Sequence, residues 1–140
     1  MSPSIFESIK HINDYKQEYW SARELYKILE YTEYGKFLPT IEKAKIACKN
    51  SGQNSQDHFA VVSDMVSIGS DAKREVSDYH LSRYACYLII QNADPSKKAV
   101  ADWQTYFAIQ THRQETSDNL LADKRRVELR EDLTEHNKNL

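Results

Sequence analysis

The chain has 140 residues, 40% of them apolar, which suits one domain, or one domain with a helical extension, rather than two full domains. Its 19 basic and 21 acidic residues leave a net charge of −2, so no global field holds it on DNA or on an anionic membrane, and any polyanion site has to be local. Three Gly, three Pro and two Cys exclude collagenous, Gly-rich phosphate-loop and disulfide-framework architectures.

A short β-hairpin is predicted first, with Phe6 to Asn13 alternating around Ile9 and Ile12, turn chemistry at Asn13-Asp14, and the aromatic segment Glu18-Tyr19-Trp20 returning. Ser21-Ala22-Arg23-Glu24 reads as a capping box that starts a helix at Ala22, with Leu25, Ile28 and Leu29 as its apolar stripe and a turn from Tyr31 to Gly35. Between Lys36 and Asn50, Phe37, Ile41, Ala44 and Cys48 recur at intervals of four, three and four, which makes one buried helical face. Lys36, Thr40, Lys43, Ala47 and Asn50 fall on another side of that helix, a polar and basic face suited to close approach by a nucleic acid, whereas Lys49 points elsewhere. Gly52 suits the end of the helix, and Asp57 is expected to cap a short turn through Phe59 and Val62.

Two strands are predicted next, Met65 to Ile68 and Glu75 to Leu81, joined by Gly69-Ser70-Asp71-Ala72 with Lys73 and Arg74 near the tip. A basic hairpin after a helix-turn-helix unit has the character of a wing. Ser82 suits the cap of a helix whose residues Tyr84 to Ile90 are apolar on nearly every side, the expected central helix. Asp94-Pro95 then predicts a cap and first helical position, and the chain reads helical almost to its end, with a restart or kink at Ser117-Asp118. Val100, Trp103, Phe107 and Thr111 form one face of this region; Leu129, Leu133, His136 and Leu140 form another. Residues 120–140 carry five positive and five negative charges, the pattern of a solvated helix laced with i,i+4 pairs.

No constellation points to catalysis. His11, His58, His80, His112 and His136 are scattered, neither Cys48 nor Cys86 lies at metal-ligand spacing from a His, and both Cys sit in apolar helical patterns as small core residues. Asp57, Asp64, Asp71 and Asp78 recur every seven residues, but across loop and hairpin they do not converge on a metal. No G-x-S-x-G elbow or comparable nucleophile motif occurs. The expectation is a protein without catalytic residues, cofactor or metal. Apolar runs such as Tyr87 to Ile90 fall far short of the roughly 20 residues that cross a bilayer. Met1-Ser2-Pro3-Ser4 has no basic region followed by an apolar block, so a cytoplasmic location is expected.

Ordered blocks along essentially the whole chain carry a resemblance. Tyr19-Trp20-Ser21-Ala22-Arg23-Glu24-Leu25, Tyr31-Thr32-Glu33-Tyr34, Asp57-His58-Phe59 and Asp64-Met65-Val66-Ser67-Ile68-Gly69-Ser70 are the first. Leu81-Ser82-Arg83-Tyr84-Ala85-Cys86-Tyr87-Leu88, Gln91-Asn92-Ala93-Asp94-Pro95 and Gln104-Thr105-Tyr106-Phe107-Ala108 follow. In these blocks the chain resembles the DNA-damage-inducible protein D family, and Trp20 to Ile28 and Leu81 to Ile89 also resemble the N-terminal (Bro-N type) domain of phage and viral antirepressor-like proteins. Ala99 to Trp103 departs from the family's more Gly-containing run, and family members normally continue well past Leu140. The resemblance implies induction in the bacterial DNA-damage (SOS) response and action on DNA, single- or double-stranded, or on a recombinase filament, with an effect on recombination. It implies no catalytic residue.

The fold class expected is mainly α (α+β), with a helix-turn-helix-like core, small β-hairpins and a long C-terminal helical region. Residues 1–93 are expected to form the antirepressor-like domain and 94–140 a helical extension. Lys36, Thr40, Lys43 and Asn50 are the candidate nucleic-acid face, with Lys73 and Arg74 clamping phosphate from the hairpin. Leu129, Leu133, His136 and Leu140 are the candidate interface for a homodimer or another protein, which is the alternative function without direct DNA contact.

Overall fold

In a computed structural model, the backbone is described for residues 3–138 and the side chains for residues 5–133. The element order is α1 (Pro3–Ser8), β1 (His11–Ile12), β2 (Glu18–Ser21), α2 (Ala22–Ile28), α3 (Tyr34–Asn50), α4 (Ser55–His58), β3 (Phe59–Gly69), β4 (Ala72–Leu81), α5 (Arg83–Gln91) and α6 (Lys98–Lys138). The strands form one antiparallel sheet in the order β1-β2-β4-β3. This is the expected α+β class. The chain divides into two compact units, the first ending at Gln104 and the second starting at Thr105.

The first hairpin forms at His11–Ser21 with His11 opposite Tyr19, and Asn13 builds its turn by accepting the backbone N–H groups of Tyr15 and Gln17 at 2.9 Å each. The strand expected to start at Phe6 is instead the helix α1. A tertiary contact outweighs the weak alternation there: Phe6 is buried and stacks on Trp20 at 4.4 Å, and its carbonyl accepts the Trp20 indole N–H at 2.9 Å.

Helix α2 begins at Ala22 as its sequence predicts, but the capping box does not form. The Ser21 hydroxyl donates to Asp78 on β4, and the same carboxylate accepts the backbone N–H groups of Arg23 at 3.1 Å and Tyr79 at 2.8 Å. Glu24 turns away to pair with His11 Nε2 at 2.6 Å. A long-range carboxylate has taken the place of the local one, because it satisfies the helix start and holds the sheet against it in one group.

Helix α3 buries Phe37, Ile41, Ala44 and Cys48 as predicted, and packs on α5 through the buried side Ala85, Cys86, Ile89 and Ile90. Its end is a Schellman turn in which Gly52 at φ +88° donates to the Lys49 carbonyl and Gln53 to that of Cys48. Asn54, not Asp57, caps the short α4 by accepting the Gln56 N–H at 3.0 Å. Phe59 and Val62, expected in a turn, lie in β3, because the register from Phe59↔Leu81 to Ser67↔Lys73 gives each residue a partner on β4. From Ser63 to Glu75 the described residues are exposed except Val66, so the hairpin is a two-stranded arm with little burial on either face.

Ser82 caps α5 as expected, accepting the Ala85 N–H at 3.0 Å. The helix is not buried all round: Tyr84 is exposed and Tyr87 and Leu88 are half-buried. Arg83 joins α5 to the opening elements, donating to Glu7 at 2.6 Å and Glu18 at 2.9 Å with its guanidinium 4.9 Å over the Trp20 ring. The hydrogen bond from Arg83 holds the Glu7 carboxyl below its usual range. Helix α6 starts at Lys98 rather than Pro95, since Asp94 Oδ1 accepts the Ser96 N–H at 3.0 Å and keeps residues 94–96 in a turn. Ser117 and Asp118 lie inside α6 without a restart, Asp118 accepting from Gln114 at 2.9 Å.

The core lies in the first unit around Trp20, Leu25, Leu29, Phe37, Ile41, Leu81, Ile89, Ile90 and Val100. Cys48 and Cys86 are free and buried, and burial pushes both thiols up. In the second unit every described side chain from Ala108 to Leu133 is exposed. Replacing Asp78 by Ala leaves the Ser21 hydroxyl and two backbone N–H groups without their acceptor, and is expected to lower unfolding free energy by about 2–4 kcal/mol in urea titration. Glu24→Ala is expected to cost less than about 1 kcal/mol; equal losses for the two variants would restore the local capping box.

Candidate nucleic-acid interface

Each α-helical residue advances about 100°, so the face of α3 opposite its buried stripe divides into distinct sides. Lys36 and Lys43 share one side, and both are exposed. Between them Thr40 departs from the expected polar surface: it is 8% exposed, and its hydroxyl shares a 3.3 Å hydrogen bond with that of Tyr31. The Tyr31 ring packs on Phe37 at 4.9 Å, and its hydroxyl accepts the Asp94 N–H at 3.0 Å. One phenol therefore links the turn after α2, the helix α3 and the loop between α5 and α6.

These three segments enclose a recess of about 460 Å3 lined by Tyr31, Thr32, Lys36, Thr40, Lys43 and residues 92–95 with Lys97. Lys97 places its ammonium 4.8 Å from the Tyr31 ring centroid. Asp94 is the acidic group of the lining, and hydrogen bonds from Ser96, with Lys97 nearby, hold its carboxyl below the usual range. Among the described residues neither Lys36 nor Lys43 forms an ion pair, in contrast to Lys45 with Glu42 and Lys98 with Asp102. The sequence reading does not include Lys97, because Asp94-Pro95 reads there as a helix start, and it places Tyr31 only in the turn after the first helix.

Lys73 and Arg74 are exposed near the tip of the β3–β4 arm. The arm's strand β4 reaches α3 through Tyr79, whose hydroxyl donates to Glu42 at 3.4 Å and whose ring centroid lies 5.4 Å from the Lys45 ammonium. Those two positions are roughly 100–180° round the helix from Lys36 and Lys43. The basic arm and the basic recess thus meet different sides of α3. Asn50 is exposed at the end of α3 and does not line the recess.

A second recess, of about 510 Å3, lies beside β2 and β4 and includes Tyr19, Asp57, His58, His80 and Ser82. Tyr19 stacks between His11 at 5.2 Å and His80 at 4.1 Å. His58 Nδ1 is engaged with Ser82 Oγ at 2.7 Å. Among the described residues no group of three His, Cys, Asp or Glu side chains is placed to hold a metal ion, and no helix is long and apolar enough to cross a membrane. On α6, Leu129 and Leu133 are exposed, while His136 and Leu140 lie outside the described side chains.

The family model described as "BRO family, N-terminal domain" (Bro-N) matches residues 8–110, a span that holds β1 to β4 and the helices that enclose both recesses. The chain belongs to this family. The Bro-N chain is also 54% identical to DNA damage-inducible protein D of Escherichia coli strain K12, over 96% of its own length and 51% of the relative's. It thus spans about half the length of that curated relative. No solved structure matches.

In this Bro-N domain the recess depends on the Tyr31 hydroxyl, the only group of the lining seen to bond both α3 and the 92–97 loop among the described residues. Tyr31→Phe is expected to cost about 1 kcal/mol and to speed amide exchange at Asp94, read by hydrogen–deuterium exchange. Unchanged exchange at Asp94 would show that the loop is held by other contacts.

Proposed function

We propose that this Bro-N domain is a non-catalytic DNA-binding module of a bacterial DNA-damage response. The observation that carries the reading is the exposed pair Lys36 and Lys43 on α3, which has no ion-pair partner among the described residues, with Lys97 beside them, in a chain whose overall charge is negative. A local positive site of this kind is where a phosphate backbone would gain from counterion release. The name of the E. coli relative supports the damage-response part. In the finer form of the proposal, α2, the turn from Leu29 to Glu33 and α3 act as a helix-turn-helix-like unit, with Lys36, Lys43 and Asn50 toward DNA and Thr40 supporting them from below.

Lys73 and Arg74 give a second phosphate contact on the arm. Because the arm meets another side of α3, a nucleic acid touching both basic groups has to pass around the helix or engage them one at a time. Residues 1–93 form the reading domain and 94–140 the extension in this proposal, which acts in the cytoplasm on DNA or on DNA coated by a recombinase. The test is fluorescence anisotropy with single- and double-stranded oligonucleotides across a salt series. Lys36→Ala with Lys43→Ala is expected to weaken binding to all sequences and to flatten the slope of log affinity against log salt by up to about two. Lys49→Ala is expected to leave it nearly unchanged, and an unchanged slope in the folded double variant removes α3 from the interface.

A second reading rests on Leu129 and Leu133, which are 63% and 64% exposed on α6. In it the second unit is an interaction module that pairs with another copy or another protein. Leu133→Asp is expected to lower the mass in light scattering if the seam joins two copies. An unchanged mass in a folded variant excludes a homodimer through this seam.

A further inference from the structure

The recess between α3 and the 92–97 loop holds more positive charge than a single contact to a nucleic-acid backbone calls for. Three ammonium groups, from Lys36, Lys43 and Lys97, line it against one carboxylate, Asp94, whose Oδ1 already accepts the Ser96 N–H. The uncompensated charge is therefore close to +2. An internal phosphodiester carries one negative charge; a phosphomonoester at neutral pH carries nearly two. The lysines are compact point charges on flexible stems, which recognise charge rather than the planar geometry that Arg would read.

Shape points the same way. The recess is bounded by α3 on one side, by Tyr31 and Thr32 on a second and by residues 92–97 on a third. At its floor the hydroxyls of Tyr31 and Thr40 are bonded to each other, and Tyr31 also accepts the Asp94 N–H, so the charged walls stand on a fixed base. Tyr31 is 9% exposed and its ring is faced by Lys97 and Phe37, which leaves it covered rather than available to stack on a base. Its volume of about 460 Å3 leaves room for a phosphoryl group with its attached sugar.

We propose that this recess is a phosphomonoester site and that, on the DNA-binding reading above, its ligand is the terminal phosphate of a nucleic-acid strand. Lys97 is the residue that distinguishes this site from the α3 face as a whole. The proposal rests on the DNA-binding reading for the identity of the ligand, and on the recess for its chemistry.

The test compares labelled single-stranded oligonucleotides of one sequence with a 5′-phosphate, a 3′-phosphate or hydroxyls at both ends, by anisotropy with the full chain. A phosphorylated end is expected to bind about three- to tenfold tighter, an advantage lost in Lys97→Gln, retained in Lys49→Gln and competed away by inorganic phosphate. Equal affinity for all ends, or equal losses in the Lys97 and Lys49 variants, overturns the proposal. Inorganic phosphate is titrated in parallel while the amide resonances of Thr40 and Asp94 are followed by NMR. Shifts there that Lys97→Gln abolishes, with no oligonucleotide bound, support the phosphate site while the DNA-binding reading fails. Absence of both shifts and end preference overturns the site.

Discussion

Asp78 is a carboxylate on a strand that does the work of a helix cap. Its two oxygens accept from Ser21, from the Arg23 N–H at the start of α2 and from the Tyr79 N–H on its own strand, and the residue is 3% exposed. Burying a charge is costly unless its acceptor capacity is met, so the group persists only while β2, β4 and the start of α2 stay together. The ladder contacts next to it, Ser21↔His80 and Trp20↔Leu81, fix the register of the same junction. Arg23 adds to it from the other direction, donating from Nε to the Ser77 carbonyl at 2.8 Å and lying 4.1 Å over the Tyr34 ring at the start of α3. Burial and the nearby Asp78 charge push the Tyr34 hydroxyl up to about 12, so it stays protonated across the neutral range. The sheet, α2 and the first turn of α3 are therefore placed by one connected set of polar contacts.

That placement decides what α3 can offer. Tyr79 occupies the Glu42 and Lys45 side of the helix, and α5 covers the stripe from Phe37 to Cys48. The sides left open include that of Lys36 and Lys43, and the 92–97 loop comes up beside them because the Asp94 N–H is held by Tyr31. The recess is thus a consequence of packing on the rest of the helix. The arm does not share this dependence. Its residues beyond Val76 and Ser63 are largely exposed, and the arm holds together through its ladder more than through burial, the usual condition of a segment whose local stability is low.

The parts of the fold legible in the sequence were those set by one dominant local signal. The four-three-four spacing from Phe37 to Cys48 located α3 and its buried face, Ser82 located the start of α5, and Asn13 located the first turn. The parts that were not legible depend on partners far along the chain. Ser21 and Glu24 have the spacing of a reciprocal cap, yet each finds a stronger partner 57 and 13 residues away, in Asp78 and His11. Phe59 to Ser63 lack a clean alternation because the strand is exposed on both faces over most of its length. Asp94-Pro95 has the chemistry of a helix start and forms a turn instead, since the Asp94 N–H bonds Tyr31 and its carboxylate bonds Ser96. For the same reason the sequence pointed to Lys36 and Lys43 and passed over Lys97, and placed Thr40 on a surface where Tyr31 covers it.

The two units also differ in how they use charge. In the second unit basic and acidic residues are interspersed along α6, as in the pair Arg126 and Asp123 at 2.9 Å, and the resulting field is short-ranged. Its exposed apolar side chains do not make one stripe: at about 100° per residue, Leu120 and Val127 fall on nearly the same line and Leu129 and Leu133 on the opposite side. A single partner surface covers one of these lines and leaves the other to solvent. The first unit instead separates its charges, with Arg83 absorbed by Glu7 and Glu18 against the aromatic core while Lys36 and Lys43 have no acidic partner among the described residues. Neutralised cations hold a fold together and contribute little to long-range attraction, whereas unneutralised ones do the reverse. A chain of net charge −2 can therefore still present a polyanion with a positive surface, provided that surface is as small as the recess beside α3.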